Sequence, residues 1–298
     1  MEKIMNRAIW AGLNNPKLDI DEADAVVLGL PFDGAASYRK GAAQAPDRIR
    51  SISTHIPPTT EEGRLLTALE LRDLGNLEPG TLSQEAYFSE VEAAAARLFG
   101  RTCPFFIGGD HSVTIPLLKA AARVFQAPLG VIHMDAHPDL CEELAGNPLS
   151  HGCTHRRALE FPFIELQNIY FVGIRSFEPQ ELEFLEGREA NIYTASALYN
   201  RGVRQVAEEI CRKLSPLRHI YITLDIDFLD PAAAPGTGTP KPGGFTTREM
   251  LELLQIFARL PIIGMDVVEV SPPLDHADIT SFAAQRAITE MWGHLFGS

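Results

Sequence analysis

Short apolar runs alternate along the chain with amphipathic stretches, and this alternation predicts the secondary structure. The runs are nearly continuous and rich in Val, Ile and Phe, which is typical of strands that are buried on both faces. They lie at residues 25–30, 105–107, 129–134, 169–172, 192–193, 220–224 and 262–267. Because such strands need helices on both sides, the pattern predicts an α/β protein whose mainly parallel sheet is covered on both faces.

Signals for helix starts lie between the apolar runs. Ser83 precedes an Ala- and Glu-rich stretch that extends to residue 98, and it suits the N-cap position. Thr246 and Glu249 have the spacing of a capping box ahead of a helix that extends to residue 260. Further helices are predicted from residue 45, with a proline in the first turn, and over residues 280–296. Since no repeat or linker interrupts the pattern, we expect one domain over residues 1–298.

The composition argues against several classes of function. The net charge of the 298 residues is −13 and the basic residues are scattered, whereas nucleic-acid binding requires a basic face. The four cysteines have no C-x-x-C spacing and are interpreted as reduced thiols. No apolar run is long enough to cross a membrane, and residues 1–7 precede no apolar leader segment. The sequence therefore predicts a cytoplasmic protein without nucleic-acid or membrane partners.

Three of the predicted strands end in Asp and His residues. These residues are His111 after the first of the three strands, Asp135, His137 and Asp139 after the second, and Asp225 and Asp227 after the third. Alternate residues of an extended chain point the same way, and parallel strands bind ligands at their carboxyl ends. Four carboxylates and two imidazoles without a thiolate suit two Mn²⁺ ions, with Zn²⁺, Co²⁺ and Ni²⁺ as less favoured alternatives.

Four more polar residues near these strand ends are candidates for supporting or catalytic roles. His151 follows the second cluster by one loop, and its imidazole could transfer protons near neutral pH. Glu269 ends the last strand and could hold a planar cation in a bidentate manner. Asp110 could cap the helix that follows it, and His155 could lie on a helix face or support a metal ligand.

The motifs resemble those of a known family, the ureohydrolases. They are Gly-Gly-Asp-His-Ser at 108–112, Asp-Ala-His-Pro-Asp at 135–139, Asp-Ile-Asp-Phe-Leu-Asp-Pro at 225–231, Pro-Gly-Thr-Gly-Thr-Pro at 235–240 and Val-Glu-Val-Ser-Pro at 268–272. The resemblance covers nearly the whole chain, in the order that the family has. It implies a three-layer α/β/α fold of the arginase type, two Mn²⁺ ions per chain, and a homotrimer or homohexamer.

The resemblance also implies which residues bind each ion. One ion would be bound by His111, Asp135, Asp139 and Asp225. The other would be bound by His137, Asp135, Asp225 and Asp227. Asp135 and Asp225 would therefore bridge the two ions.

Catalytic roles follow from the same resemblance. A metal-bridging hydroxide, oriented by Asp139, would attack the carbon of a substrate guanidinium group that Glu269 holds. His151 would protonate the leaving amine. The products would be urea and an amine.

Agmatine is the favoured substrate, and putrescine would then be the amine product. Arginase binds the α-amino and α-carboxylate groups of its substrate through an Asn and a Ser in the loop after the second cluster. This chain has Asn147 and Ser150 there, in a different register. Glu142, Glu143 or Glu178 could attract the free ammonium group of agmatine.

Other substrates and classes are alternatives. Arg156 and Arg157 could hold a carboxylate such as that of 4-guanidinobutanoate, which would make the protein a guanidinobutyrase or another guanidino-acid hydrolase. Arginase and formimidoylglutamase activities rank next. A binuclear phosphoesterase would need a late Asn-His pair, and none follows Asp227. A non-catalytic family member would be expected to lack a ligand, but all six are present.

Overall fold

A computed structural model of the protein describes residues 8–297 and is built around one eight-stranded sheet. All paired strands run parallel. The strands are β1 Ala25–Gly29, β2 Leu71–Asn76, β3 Cys103–Ile107, β4 Gly130–Met134, β5 Ile169–Ile174, β6 Asn191–Thr194, β7 Ile220–Asp225 and β8 Ile262–Val268. Their order across the sheet is β2-β1-β3-β8-β7-β4-β5-β6.

Helices cover both faces of the sheet, which confirms the predicted α/β class and the three-layer α/β/α arrangement. Within residues 8–297 the α-helices are α1 Ala45–Ser53, α2 Gln84–Ala96, α3 Thr114–Phe125, α4 Thr154–Ala158, α5 Pro179–Leu185, α6 Ala195–Arg201, α7 Val203–Leu214, α8 Thr247–Phe257 and α9 Ile279–Phe296. None of them is both long and apolar enough to cross a membrane.

Two apolar cores lie on opposite faces of the sheet because alternate strand residues point opposite ways. In β3, Phe105 and Ile107 pack into one core, and Phe106 packs into the other. The first core also contains side chains from α1 and from α6 to α9. The second core contains side chains from α2, α3 and α4. Burial on both faces explains why the strands read as continuous apolar runs.

The predicted helix starts are confirmed, whereas one strand was missed. The Ser83 hydroxyl accepts a hydrogen bond from the backbone of α2, and Thr246 and Glu249 form the capping box of α8. β2 was not predicted because it is an edge strand with only Leu71 fully buried, so its sequence Leu-Arg-Asp-Leu-Gly-Asn carries no apolar run. The expectation about the N-terminal segment concerns residues 1–7, which lie outside the described residues. The division into one domain stays a prediction.

Candidate metal centre and catalytic cleft

Four neighbouring strands bring the candidate residues to one edge of the sheet. In the order β3-β8-β7-β4, the pairing aligns Ile107 with Val267, Asp225 with Val268, and Leu224 with Met134. The four carboxyl ends are therefore nearly level. The residues that follow these ends meet above the sheet, which is where ligands bind in open α/β sheets.

His111 is the centre of a first cluster of possible ligands. Its Nδ1 atom lies 3.1 Å from Asp135 Oδ2, 3.0 Å from Asp139 Oδ2 and 3.2 Å from Asp225 Oδ2. Neighbouring oxygen and nitrogen ligands of an octahedral divalent ion are separated by roughly 3 Å. The spacing of these four atoms therefore suits one ion.

His137 forms a second cluster with two carboxylates. Its Nδ1 atom lies 3.4 Å from Asp135 Oδ1 and 3.1 Å from Asp227 Oδ2. Asp135 thus presents one oxygen to each cluster. Asp225 faces the first cluster through Oδ2, and its Oδ1 atom accepts a hydrogen bond from the Asp227 backbone at 2.8 Å.

Unsatisfied buried atoms indicate that these clusters suit cations. Four buried atoms of the clusters have no hydrogen-bond partner among residues 8–297. They are His111 Nδ1 and the Oδ2 atoms of Asp135, Asp139 and Asp227. Burial and the nearby carboxylates of Asp227 and Asp135 raise the pKa of Asp225 well above its usual range. Burial and Asp135 raise the pKa of Asp139 to about 6. Divalent cations would satisfy these atoms and offset this repulsion. The residues present therefore fit a binuclear metal site.

Two residues of the site have backbone conformations that non-glycine residues rarely adopt. The φ angle is +53° at Asp139 and +62° at Glu269. The carbonyl group of Asp139 accepts hydrogen bonds from the backbone amides of His155 and Arg156 in α4, at 2.9 and 3.2 Å. The Glu269 amide donates to the carbonyl of Gly109 at 2.8 Å. Such left-handed residues cluster at functional sites, where the surrounding structure holds them in place.

The Gly-Gly motif permits a close approach of two loops. A Cβ atom on Gly109 would overlap with the carbonyl oxygen of Phe32. Asp110 caps the turn that follows, as expected, because its carboxylate accepts from the Ser112 backbone at 3.1 Å. The same carboxylate accepts from the Ala35 backbone at 2.8 Å. Asp110 therefore links the loops that follow β3 and β1.

A buried network holds the side of His111 that faces away from the cluster. The Nε2 atom of His111 lies 2.8 Å from Thr223 Oγ1, which in turn lies 2.6 Å from Asp266 Oδ1. Because the carboxylate accepts the hydroxyl proton of Thr223, this hydroxyl can accept from His111 Nε2–H. The proton of the neutral ring is then on Nε2, and Nδ1 carries the free lone pair that a metal ion requires.

Replacing Thr223 with valine is expected to weaken metal binding by about 10- to 100-fold, because His111 Nε2 loses its partner. A matched control is Thr114→Val, since the Thr114 hydroxyl donates to the same Asp266 carboxylate at 2.9 Å but does not contact His111. Metal affinity measured by Mn²⁺ titration should change little in the control. Equal affinities in both variants and the wild type would contradict this role of Thr223.

Two further histidines form a buried chain beside the two clusters of possible ligands. The Nε2 atom of His155 lies 2.7 Å from Nδ1 of His133, and Nε2 of His133 lies 2.7 Å from the carbonyl oxygen of His137. Since a carbonyl only accepts, His133 donates from Nε2 and His155 donates to His133. Burial lowers the pKa of His133 to about 4, which favours these neutral rings. His155 therefore supports the loop that carries His137.

His151 lies between Glu269 and Ser37. Its Nδ1 atom is 2.9 Å from Glu269 Oε1, and its Nε2 atom is 2.7 Å from Ser37 Oγ. Burial disfavours the charged ring, but Glu269 outweighs this effect and raises the pKa of His151 to about 9. Glu269 Oε1 also accepts from the His111 backbone at 2.8 Å. Both contacts use Oε1, so Oε2 is the oxygen that remains for a cation, and the bidentate clamp expected for Glu269 stays a prediction.

A cleft opens onto these residues, and its walls include the loops that follow the second and third ligand clusters. It is lined by Ser37, His137, Asp139, Cys141, Leu144, His151, Gly152, Glu178, Glu181, Asp225, Thr239 and Lys241. Glu181 is buried and accepts hydrogen bonds from the backbones of Leu140 and Glu178, both at 2.8 Å. Burial raises the pKa of Glu181 to about 7.

The arginine pair does not reach the cleft. Arg156 and Arg157 both form ion pairs with Glu142, at 2.5 and 2.8 Å, and Arg156 also stacks on Phe184. Neither arginine lines the cleft. Their suggested role in holding a substrate carboxylate is therefore not supported. Glu142 is already neutralised by this pair, which leaves Glu178 as the cleft-lining member of the three suggested acids.

The residues at the arginase-like positions have structural partners. Asn147 donates to Gln84 at 3.1 Å, and the Ser150 hydroxyl donates to the carbonyl of Ala35 at 3.2 Å. Neither side chain lines the cleft. An arginase-type contact to an amino-acid substrate therefore has no counterpart at these positions.

Several site residues were not predicted. His133 precedes Asp135 by two positions, so the alternation of strand residues could have indicated that both point the same way. Ser37, Thr223, Asp266 and Lys241 reach the site through contacts between distant segments, and nothing in their local sequence distinguishes them.

Comparisons with known proteins agree with the geometry. The family model described as the Arginase family matches residues 23–293. An agmatinase of Bacillus anthracis is 35% identical over 275 residues, which cover 91% of each chain. A guanidinobutyrase of Pseudomonas aeruginosa is 30% identical over 278 residues, which cover 92% of this chain and 86% of that protein.

A solved structure gives the same result. The proclavaminate amidino hydrolase from Streptomyces clavuligerus superposes with a TM-score of 0.86 at 34% sequence identity, covering 95% of this chain and 94% of that chain. The matched family model, the sequence identities and this superposition each cover almost the entire chain. The protein therefore belongs to the arginase family of ureohydrolases, hydrolases that act on carbon–nitrogen bonds of linear amidines.

Proposed function

We propose that the protein hydrolyses the guanidinium group of agmatine to urea and putrescine at a binuclear Mn²⁺ site. The observation that carries this proposal is the group of four buried carboxylates and two imidazoles at the ends of adjacent strands, with several atoms unsatisfied. Oxygen and imidazole ligands without thiolate favour Mn²⁺ over Zn²⁺, Co²⁺ or Ni²⁺. We expect the protein to work in the cytoplasm as a homotrimer or homohexamer, as the resemblance implies.

The proposed ligand sets follow the two clusters. His111, Asp135, Asp139 and Asp225 would hold one ion, and His137, Asp135, Asp225 and Asp227 the other. The distances around His111 support the first set, and those from His137 to Asp135 and Asp227 support the second. The place of Asp225 in the second set rests on the family resemblance. When bound, the metal ions supply Lewis acidity and a nucleophile derived from water at neutral pH.

The side chains around the clusters would position the substrate and move its protons. Glu269 would accept a hydrogen bond from the guanidinium group through Oε2, the oxygen that the described residues leave free. Asp139 would orient the attacking water. His151 would supply the proton that the leaving amine needs, since an amine is expelled far more readily than its anion.

The charges of the cleft support a cationic substrate tail. Away from the proposed metal ligands, the cleft is lined by the carboxyl groups of Glu178 and Glu181 and by one ammonium group, that of Lys241. Agmatine carries an ammonium group at the end of its tail, and the agmatinase from Bacillus anthracis is among the similar proteins. Glu178, which is exposed at the cleft, would attract this group.

Lys241 favours a second candidate, a guanidino acid such as 4-guanidinobutanoate. It lines the cleft, and within residues 8–297 no carboxylate lies within 4.0 Å of its Nζ atom to form an ion pair. An ammonium group without a partner could hold the carboxylate of such a tail. The similarity to a guanidinobutyrase agrees with this alternative.

Urea release by the Mn²⁺-loaded protein tests the proposal. The substrates are agmatine, 4-guanidinobutanoate, 3-guanidinopropanoate, arginine and free guanidine. We expect the highest kcat/KM for agmatine. If the protein prefers a guanidino acid, the proposed reaction stands and only the substrate changes. If the protein releases no urea from any of these substrates although two metal ions are bound, the proposed function is wrong.

Removing single charges from the cleft should change the tail preference. Lys241→Met is expected to raise kcat/KM for agmatine and lower it for 4-guanidinobutanoate, each by about ten-fold, because one nearby charge contributes ~1.4 kcal/mol. Glu178→Gln should have the opposite effect on both substrates. Arg156→Met serves as the control, since Arg156 lies outside the cleft. If neither cleft variant alters the ratio of the two kcat/KM values, the assignment of the tail site is wrong.

A further inference from the structure

We propose that Ser37 relays the proton from His151 to the leaving amine. This inference rests on the proposed function and adds a residue that the sequence motifs did not indicate. Both nitrogens of the His151 ring are already engaged: Nδ1 by Glu269 at 2.9 Å and Nε2 by Ser37 Oγ at 2.7 Å. Neither ring nitrogen is left to face the cleft directly.

The backbone of Ser37 fixes the tautomer of the neutral ring. The Ser37 amide lies 3.1 Å from His151 Nε2 and can only donate. Nε2 of the neutral ring is therefore the acceptor, and the ring proton is on Nδ1, where it is donated to the Glu269 carboxylate. In this state the Ser37 hydroxyl can also donate to Nε2.

The charged ring reverses the hydrogen bond to the hydroxyl. A proton on Nε2 is donated to Ser37 Oγ, because a hydroxyl accepts as well as donates. The hydroxyl proton of Ser37 is then free to point away from the ring. Since Ser37 lines the same cleft as His137 and Asp139, this proton can face the reacting end of the substrate.

The proton transfer can then be written in balanced form. As the C–N bond breaks, its electron pair stays on the leaving nitrogen. That nitrogen takes the hydroxyl proton of Ser37, while Oγ takes the proton from His151 Nε2. The serine is restored, the histidine becomes neutral, and solvent returns one proton to the ring before the next cycle. This is general acid catalysis with one intervening hydroxyl.

Contacts between the two loops hold Ser37 and His151 together. The carbonyl of Ala35, two residues before Ser37, accepts from the Ser150 hydroxyl at 3.2 Å and from the His151 backbone at 3.4 Å. The Ala35 amide is fixed by Asp110 at 2.8 Å. Rotating the His151 ring to face the substrate would break its contacts with both Glu269 and Ser37, whereas the relay retains the contact of Nδ1 with Glu269 and that of Nε2 with Ser37 Oγ.

Ser37→Ala is expected to lower kcat for agmatine, or for the best substrate of the panel, by about 10- to 100-fold. This is part of the effect of a general acid, because water can replace the hydroxyl imperfectly. KM and metal content should stay within about two-fold of the wild type. Ser37→Thr keeps the hydroxyl and should recover most of the loss. Tyr38→Phe is the matched control in the same loop, since the Tyr38 side chain is largely exposed.

A second substrate separates proton relay from simple positioning. A guanidinooxy analogue of the same length releases a weakly basic alkoxyamine, which needs less protonation to leave. With it, the deficit of Ser37→Ala should shrink to a few-fold, whereas loss of positioning would reduce the turnover of both substrates equally. In a His151→Ala background, Ser37→Ala should cause little additional loss, because both residues act on the same proton.

The outcomes distinguish the relay from the proposed function. An active wild type whose Ser37→Ala variant has an unchanged kcat, or an equal deficit with both substrates, would overturn the relay alone. A metal-loaded wild type that releases no urea from any guanidino compound would overturn the proposed function, and the relay with it.

Discussion

Asp135→Asn and Asp225→Asn are each expected to reduce urea release by about a thousand-fold or more. Both carboxylates face His111 in the first cluster, and Asp135 also faces His137 in the second. An asparagine keeps the shape but removes a negative charge from a site that is proposed to neutralise two divalent cations. A loss of ~4 kcal/mol of transition-state stabilisation corresponds to this reduction in rate.

Metal content and activity should be measured on the same samples of these variants. Asp47→Asn provides the control for the substitution itself, because the side chain of Asp47 is 81% exposed and does not line the cleft. The control should keep both metal and activity. Near-normal turnover of either bridging variant with a full metal complement would show that the proposed ligand sets are wrong.

His151→Ala is expected to lower kcat by about 10²- to 10⁴-fold, the range for loss of a general acid. Its ring contacts Glu269 and Ser37 rather than any of the six proposed ligands. Metal content should therefore stay at the wild-type level. Added imidazole should restore part of the activity, since a small base can enter the space that the side chain leaves.

The exposed His55 gives a control for this substitution, and His55→Ala should behave like the wild type. Metal content measured beside kcat separates two interpretations of His151. If His151→Ala loses metal in parallel with activity, His151 is a ligand and the proton-transfer role fails. If activity is unchanged, neither role applies.

Much of the fold could be predicted because the central strands are buried on both faces. The runs at residues 105–107, 129–134 and 220–224 consist of apolar residues and one glycine, apart from the buried His133 and Thr223. The edge strand Leu71–Asn76 could not be found in the same way, since five of its six residues are only half-buried. Hydrophobic periodicity reports burial, and it loses its signal where a strand is partly exposed.

The proposed ligand residues could be recognised as a cluster for a similar reason. Asp135, His137 and Asp139 are close in sequence and follow one strand, so local geometry alone places them together. Ser37 and His151 are 114 positions apart, and their contact depends on how two loops pack. No local pattern in the sequence encodes such a contact.

The arginine pair shows the limit of reasoning from proximity in sequence. Arg156 and Arg157 follow His151 closely, yet they lie in α4 and their guanidinium groups pair with Glu142. Lys241 comes from a separate loop and lines the cleft instead. The charge that a substrate tail meets therefore depends on tertiary structure, and the substrate could not be chosen from the motifs alone.

Hydrolysis of the substrate's guanidinium group is expected to depend on a pair of metal ions. The six residues proposed to bind them are His111, Asp135, His137, Asp139, Asp225 and Asp227. The most direct measurement adds Mn²⁺ in steps to the metal-free protein and records bound metal and urea release from agmatine together. The account predicts no urea without metal and full activity as occupancy approaches two ions per chain. Undiminished urea release by the metal-free protein, or full activity at one ion per chain, would contradict it.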